Sequence, residues 1–186
     1  VLVPGKQGIP VPIGIGKVWF TWGQRPKAKS VNLLPDHPPG LINVGGQAVY
    51  NVWAGFGVTP EPGDWSTLEF HLKQVVCCGN EEHYNYLKGW LATCVQRPHL
   101  QGEVAVVMRG GRGTGKGTVG RMLAGIFGQH YFHTASQGQV AGRFNAHLRD
   151  TVVLFADEAF FAGDKRHEGT LKALITEDYL AIEGKF

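Results

Sequence analysis

A glycine-rich segment between residues 110 and 118 has the residue types and the spacing of a phosphate-binding loop. Its core matches the pattern G-x-x-x-x-G-K through Gly110, Gly115 and Lys116. Glycines let the backbone curl with positive φ and aim successive N–H groups at phosphate oxygens, while the lysine reaches the β- and γ-phosphates. The segment predicted to bind nucleotide consists of Gly110, Gly111, Arg112, Gly113, Thr114, Gly115, Lys116, Gly117 and Thr118.

The sequence on either side of this loop supports the same interpretation. Residues 103–108 form an apolar run rich in β-branched side chains, which predicts a buried parallel strand ending just before the loop. Residues 118–127 have helical periodicity, and Gly128 is expected to end that helix. A strand, a glycine loop and a helix N-terminus in this order direct N–H groups and the positive end of the helix dipole toward an anion.

Two adjacent carboxylates, Asp157 and Glu158, follow a second apolar run at 151–156 that predicts another buried strand. In α/β sheets, ligands bind beyond the carboxyl ends of the strands. We expect Asp157 to hold Mg²⁺, directly or through water, and Glu158 to polarise a water molecule against the γ-phosphate of ATP. A small-molecule kinase needs no such glutamate beside its metal-binding aspartate, so the pair favours ATP hydrolysis.

The loop departs from the usual phosphate-loop pattern at one position. That pattern places Ser or Thr directly after the lysine as a ligand of Mg²⁺, whereas this chain has Gly117 there. Thr118 carries the nearby hydroxyl on the helix side. Either Thr118 ligates the metal from a shifted loop, or a water molecule takes that coordination position.

The composition of the 186-residue chain is that of a globular protein. Hydrophobic residues make up 43% and charged residues 18%, and the net charge is +3, which permits nucleic acid as a partner without requiring it. The long uncharged stretch 38–60 is interrupted by glycines and asparagines, so we expect no membrane span. Cys77, Cys78 and Cys94 lack metal-ligand spacing and are expected to be buried, reduced thiols.

The composition changes near residue 65. Residues 1–64 hold nine of the ten prolines and short aromatic runs at 18–22 and 50–53, which predict short strands in a loop-rich segment. Residues 65–100 predict a helical unit, with one helix ending near Val76 and a second beginning after an Asn80 cap. Residues 101–186 are predicted to form the core of an ATPase.

Within this core, 101–186, strands and helices alternate. A short strand is expected at 131–133, a short helix from Ser136, a helix over 168–175 and a last strand at 180–183. This alternation predicts an α/β layered sheet of the P-loop NTPase class. In the chain as a whole, packing in the hydrophobic interior is expected for the five tryptophans, with stacking on nucleic-acid bases as the alternative: Trp19, Trp22, Trp53, Trp65 and Trp90.

Several separate motifs resemble those of superfamily 3 helicases. The likeness is greatest to the helicase-like domain of phage and plasmid primase-helicase or primase-polymerase proteins, and it extends from Tyr50 to Phe186. Besides the glycine loop, it rests on residues 50–56, 142–148, 155–160, 169–176 and 180–185.

The resemblance implies an AAA+-like ATPase that uses ATP and Mg²⁺, assembles into a ring, usually a hexamer, and moves along single-stranded DNA. It also implies a β-hairpin with a basic tip that contacts DNA. Lys185 falls at that tip and Lys172 in the companion motif; the alternative for both is a solvated surface lysine, and for Lys172 the two interpretations are equally supported. A phage- or plasmid-encoded protein of the bacterial cytoplasm is implied, and the resemblance allows a primase or polymerase domain in the same parent chain.

The family carries a polar sensor residue and an arginine finger on later elements, and this chain stops at Phe186 before both. We therefore expect a fragment of a larger replication protein that binds nucleotide but hydrolyses it poorly alone. One alternative is another AAA+ DNA motor of the packaging or loader type. A second alternative is a nucleotide-binding interaction module without turnover.

The sequence does not assign a single role to four polar residues that lie between the glycine loop and the Asp157-Glu158 pair. They alternate with apolar residues and could face a subunit interface, contact DNA or line a solvated edge. These residues are Arg143, Asn145, His147 and Arg149.

Overall fold

The computed structural model describes residues 2–4, 10–158, 168–177 and 180–185, which form a mixed α/β fold. The strands are β1 (Leu2–Pro4), β2 (Pro10–Pro12), β3 (Ser30–Asn32), β4 (Gly40–Val44), β5 (Gln47–Asn51), β6 (Tyr131–Thr134) and β7 (Val153–Ala156). The helices are α1 (Ile15–Thr21), α2 (Ser66–Phe70), α3 (Glu81–Gln96), α4 (Lys116–Phe127), α5 (Gln137–Ala141) and α6 (Glu168–Thr176). A π-helical turn, His71–Val76, continues α2, and 3₁₀ turns cover Gly128–His130 and Ala146–Leu148.

A three-stranded sheet of order β3-β5-β4 forms the N-terminal part of the fold. Strands β4 and β5 are antiparallel and are joined by Gly45 and Gly46, which both have positive φ, as a tight hairpin turn requires. Strand β3 joins the other edge of β5 in parallel. On one face of this sheet Val49 is buried, while Tyr50 points to the opposite, exposed face.

The expected strand at 18–22 is wrong, because this segment lies mostly in helix α1. The first turn is closed by Lys17 and Val18 N–H groups that donate to the Gly14 carbonyl, and Thr21 Oγ1 donates to the Lys17 and Val18 carbonyls. Aromatic and β-branched residues favour strands only where a neighbouring strand pairs with them. Local hydrogen bonds therefore decide the structure here.

Tryptophan placement also differs from expectation. Trp53 is buried, which confirms the expectation for that residue, and Trp90 is half-buried. In contrast, Trp19, Trp22 and Trp65 are about half exposed. The prediction that these three side chains pack in the core is therefore wrong. The core is built from α3, α4, β7 and the π-helical turn, and these three side chains lie on elements outside it.

The helices before the glycine loop lie close to the positions that the sequence predicts for them. The Asn80 side chain accepts a hydrogen bond from the His83 N–H at 2.9 Å, which confirms the predicted cap of α3. Tyr84 on α3 donates its hydroxyl proton to Glu69 on α2 at 2.7 Å. This bond, helped by burial, raises the pKa of Tyr84 to about 12. The three cysteines are free thiols, of which Cys77 is buried and Cys78 exposed.

A parallel pair of strands, β6 and β7, packs against α4. Their positions confirm the predicted strands at 131–133 and 151–156, and Gly128, with a φ of 53°, ends α4 as expected. No helix among the described residues is long and apolar enough to cross a bilayer.

The buried strand expected at 103–108 is not formed. Val107 is 87% exposed and Val104 is 45% exposed, and Glu103 has a positive φ that bends the chain where the strand would begin. An apolar run becomes a strand only when another strand supplies a hydrogen-bonding edge. Within the described part of the chain, β7 pairs with β6 alone, and residues 103–108 join neither strand.

A buried histidine connects the N-terminal sheet to the α/β part of the fold. His130 is fully buried; its Nε2 accepts a hydrogen bond from the Ala54 N–H at 2.9 Å, and its Nδ1–H donates to the Asp150 carbonyl at 2.8 Å. The Trp53 ring stacks on the imidazole at a centroid distance of 4.6 Å. Close by, the Gly57 N–H donates to the carbonyl of Ile126 near the end of α4.

We predict that His130→Ala lowers the free energy of unfolding by about 3 kcal/mol, because it removes the hydrogen-bond partner of the Ala54 N–H and of the Asp150 carbonyl and opens a cavity beside Trp53. The control is His83→Ala, since His83 is exposed on α3 and should change stability by less than about 0.5 kcal/mol. Urea unfolding followed by tryptophan fluorescence measures both. Equal midpoints for the two variants would contradict the structural role of His130.

A candidate nucleotide-binding site at the start of helix α4

The glycine loop forms a series of tight turns that end where α4 begins at Lys116. Gly113 and Gly115 have φ angles of 79° and 83°, in the left-handed region that favours glycine. Thr114 Oγ1 donates to the Gly111 carbonyl at 2.9 Å, and the Thr118 N–H donates to the Gly115 carbonyl at 2.9 Å. The first N–H groups of a helix have no intrahelical partner, so this curve presents donors to a ligand.

The Lys116 ammonium lies inside the curve of the loop. Its Nζ donates to the Gly110 carbonyl at 2.9 Å and to the Gly111 carbonyl at 2.8 Å. The charge of the side chain is therefore held next to the backbone of the loop.

A histidine that the sequence analysis missed also contacts the loop. His71 opens the π-helical turn after α2, and its Nε2–H donates to the Gly115 carbonyl at 3.1 Å. A Cβ atom added to Gly115 would collide with the His71 ring. Turns of π-helix occur often at functional sites because they re-aim one side chain. The sequence carries no motif for this contact, which depends on packing between distant segments.

The start of α4 and the end of β7 face a shared cavity of about 210 Å³. Among its lining residues are Gly117 and Arg121 from α4, and Asp157 directly after β7. Gly120 allows the helix to approach the strands closely, since an added Cβ would lie 3.0 Å from the Tyr131 hydroxyl and 3.2 Å from the Phe155 ring. The structure thus brings together the two motifs that lie far apart in sequence.

Asp157 is held in place by its backbone. Its N–H donates to the Thr134 carbonyl at 2.9 Å, and its carboxylate Oδ2 lies 3.8 Å from Nε2 of His133. That separation is too long for a hydrogen bond, although it is short enough for charge attraction. Burial raises the pKa of the nearby Tyr131 hydroxyl, and the charge of Asp157 raises it further.

Glu158 has a φ of 53°, a left-handed conformation that few residues other than glycine adopt. This conformation turns the chain immediately after Asp157 and leaves the Glu158 side chain exposed. Strained backbone of this kind is concentrated at functional sites.

The hydroxyl considered for Mg²⁺ has a partner within α4. Thr118 Oγ1 accepts a hydrogen bond from Nη2 of Arg121 at 2.9 Å, and Arg121 itself lines the cavity. Among the described residues, no group of three or more His, Cys, Asp or Glu side chains converges as a metal site. Any metal held here would therefore need ligands beyond such a cluster.

The two lysines expected to contact DNA lie away from the glycine loop. Lys172 is exposed on α6 and Lys185 is exposed near the end of the chain. The strand expected at 180–183 is not formed, because side-chain bonds hold this segment in place of a strand ladder. Parts of two motifs, at 159–160 and at Phe186, lie outside the described residues.

The polar residues between the two motifs hold the segment that leads to Lys185. Asn145 Nδ2 donates to the Ala181 carbonyl at 2.8 Å, and its Oδ1 accepts from the Glu183 N–H at 2.8 Å. The Arg143 guanidinium pairs with the Glu183 carboxylate at 2.9 Å. His147 contacts the Gln139 carbonyl, and Arg149 pairs with Asp150.

Comparison with known proteins identifies the fold but no activity. Residues 108–186 match a family described as a family of unknown function, DUF5906. No curated protein matches the chain. Two solved structures of the C-terminal region of NrS-1, both apo forms, are similar with a TM-score of 0.72 and 20% identity over 91% of this chain. The chain spans 43% and 42% of those two chains, less than half of their length.

We predict that Gly115→Ala destabilises the protein by about 1–2 kcal/mol, because alanine disfavours the left-handed conformation and its Cβ meets the His71 ring. Adding His71→Ala removes the collision alone, so the double variant should regain only part of the loss. Gly125→Ala is the control: it lies on α4 with open space around it and should stabilise by about 0.5–1 kcal/mol. Thermal unfolding measures all three, and a Gly115→Ala variant as stable as the unmodified protein would contradict the loop geometry.

Proposed function

We propose that this chain is the ATP-dependent helicase or translocase core of a phage or plasmid replication protein, coupling ATP hydrolysis to movement on single-stranded DNA. The observation that carries the proposal is the cavity shared by Gly117 at the start of α4 and Asp157 after β7. Phosphate loops and paired acidic residues at such a position are typical of NTPases. The motifs that resemble superfamily 3 helicases support the more specific assignment.

Binding of the ATP phosphates is assigned to the glycine loop and to the first turn of α4. The left-handed angles at Gly113 and Gly115 curve the backbone so that N–H groups and the helix dipole favour an anion. Lys116 exchanges its hydrogen bonds with the Gly110 and Gly111 carbonyls for bonds to phosphate oxygens. This exchange keeps the ammonium close to its binding position.

Hydrolysis is assigned to the two carboxylates after β7. Asp157 lines the cavity and supplies a carboxylate that fits Mg²⁺, while the exposed Glu158 polarises the attacking water. When bound, Mg²⁺ neutralises charge on the phosphate oxygens. Thr118 supplies a hydroxyl near the same cavity, provided that Arg121 releases it.

Contact with single-stranded DNA in this proposal falls to Lys185 and Lys172, in a ring of several copies, as the resemblance implies. The bonds from Asn145 and Arg143 to residues 181–183 support the coupling. They attach the segment bearing Lys185 to the chain ahead of β7, and Asp157 directly follows that strand. The nucleotide site and the proposed DNA contact are therefore connected by a stretch of chain and by these hydrogen bonds.

We predict that Lys116→Ala weakens binding of a fluorescent ATP analogue by about 10- to 100-fold, the effect of losing charge-assisted hydrogen bonds worth about 1.5–3 kcal/mol. Lys88→Ala is the matched control, because Lys88 is an exposed lysine on α3 whose ammonium lies over the Tyr84 ring. Equal affinity in the two variants would contradict the phosphate-loop assignment.

The same pair of variants distinguishes the candidate activities when ATP turnover is measured with and without single-stranded DNA in the full-length protein, because the fragment alone is expected to hydrolyse ATP poorly. Turnover that DNA stimulates and Lys116→Ala abolishes supports a translocating motor. Turnover that ignores DNA favours a generic AAA+ ATPase, and nucleotide binding without turnover favours an interaction module.

We also predict that Thr118→Ala raises the Mg²⁺ concentration needed for half-maximal nucleotide binding, by about tenfold if the hydroxyl is a direct ligand. Thr118→Ser keeps the hydroxyl and should retain the Mg²⁺ dependence of the unmodified protein. A titration of Mg²⁺ at fixed nucleotide concentration measures this. Identical curves for all three proteins would assign the coordination position to water.

A further inference from the structure

The first third of the protein carries a net positive charge. Residues 1–60 contain five basic residues and a single acidic one, Asp36, for a net charge of +4. Residues 61–186 contain 13 basic and 14 acidic residues, for a net charge of −1. The proposed ATPase residues all lie in the second part. A second basic stretch, residues 104–149, has six basic residues and no acidic one and includes the glycine loop, so the protein has two separate regions that could attract a polyanion.

The exposed face of the N-terminal sheet is apolar and centred on an aromatic residue. Tyr50 on β5 lies between its register partners Val31 on β3 and Leu41 on β4, and these side chains are 47–48% exposed. Trp19 from α1, 45% exposed, borders the same face. Trp19, Val31, Leu41 and Tyr50, here called the aromatic face, line a concavity of about 370 Å³ together with Pro26 and Ala28.

Basic residues lie on the segments that contribute to this face. The Arg25 guanidinium lies 6.0 Å from the centre of the Trp19 ring. Lys27 and Lys29 are exposed on the segment that enters β3, and the Lys29 N–H donates to the Ala48 carbonyl of β5 at 2.7 Å, which fixes this segment at the sheet. Lys17 is exposed on α1. Apart from Asp36, residues 10–60 contain no carboxylate side chain.

We propose that the aromatic face binds single-stranded nucleic acid, with bases stacked on Tyr50 and Trp19 and phosphates paired with Lys27, Lys29 and Arg25. Proteins that hold single strands without sequence preference combine exposed aromatic rings with a cationic groove in this way. The site lies outside the ATPase core and requires neither the glycine loop nor Lys185.

Charge complementarity selects this occupant over a second copy of the chain. Two copies meeting through the aromatic face would bring together two sets of the cations at positions 17, 25, 27 and 29, and lysine is depleted from protein interfaces. A single strand offers the opposite charge together with flat bases. Its phosphates can pair with the cations while its bases cover the apolar surface.

The first test is fluorescence anisotropy of a labelled thymidine oligonucleotide, measured without nucleotide so that the ATP site is not involved. Tyr50→Ala and Trp19→Ala should each weaken binding about 5- to 100-fold, the range expected for a lost stacking contact. Tyr50→Phe keeps the ring and should bind within about twofold of the unmodified protein. Trp65→Ala is the matched control, since Trp65 is 47% exposed but lies outside the aromatic face.

A second test uses salt and does not depend on a core substitution. The double variant Lys27→Ala with Lys29→Ala removes two exposed side chains, so it should fold normally. It should reduce the slope of log affinity against log salt concentration by about 1.4, since each single-strand phosphate contact contributes about 0.7.

Two results would overturn the proposal. One is unchanged oligonucleotide affinity in both the aromatic and the lysine variants. The other is an unchanged affinity combined with a shift of Tyr50→Ala to smaller species in sedimentation velocity, which would make the aromatic face an interface between copies. Loss of nucleotide binding in Lys116→Ala bears on the ATPase proposal alone and leaves this inference standing.

Discussion

One buried imidazole connects the N-terminal sheet to the α/β part of the fold. His130 bridges the Ala54 N–H and the Asp150 carbonyl, so the chain leaving the N-terminal sheet is fixed at the C-terminal end of α4. The opposite end of the same twelve-residue helix begins at Lys116, in the candidate site. Because the helix links the two ends, the His130 contacts and the Gly57 N–H bond to the Ile126 carbonyl together fix the N-terminal sheet relative to the glycine loop.

The candidate site can form because two of its glycines have no side chain. At Gly115 the absent side chain admits the ring of His71, and at Gly120 it admits Tyr131 and Phe155. Three segments that are distant in sequence therefore meet within van der Waals distance of the first two turns of α4. Bulkier residues at these positions would separate the loop from the carboxylates after β7, so the chemistry of the site depends on close packing as much as on its charged groups.

Features controlled by neighbouring residues could be predicted from the sequence, and features that need a distant partner could not. The Asn80 cap, the end of α4 at Gly128 and the glycine loop each rest on local backbone chemistry, and the structure has the first two where they were expected. The strands expected at 18–22 and 103–108 depended on pairing that the described chain does not supply. The contact of His71 with the loop arises from packing across segments, for which no sequence pattern exists.

The π-helical turn restricts where residues can be inserted into or deleted from this protein. In that turn the Cys77 N–H reaches back five residues to the Leu72 carbonyl, so the turn contains one residue more than an α-helix would need. Deleting a single residue would restore α-helical bonding, yet it would also rotate His71 by about 100° away from Gly115. Homologous chains should therefore conserve the spacing between α2 and α3 strictly, while insertions and deletions accumulate in exposed loops, where extra length costs little.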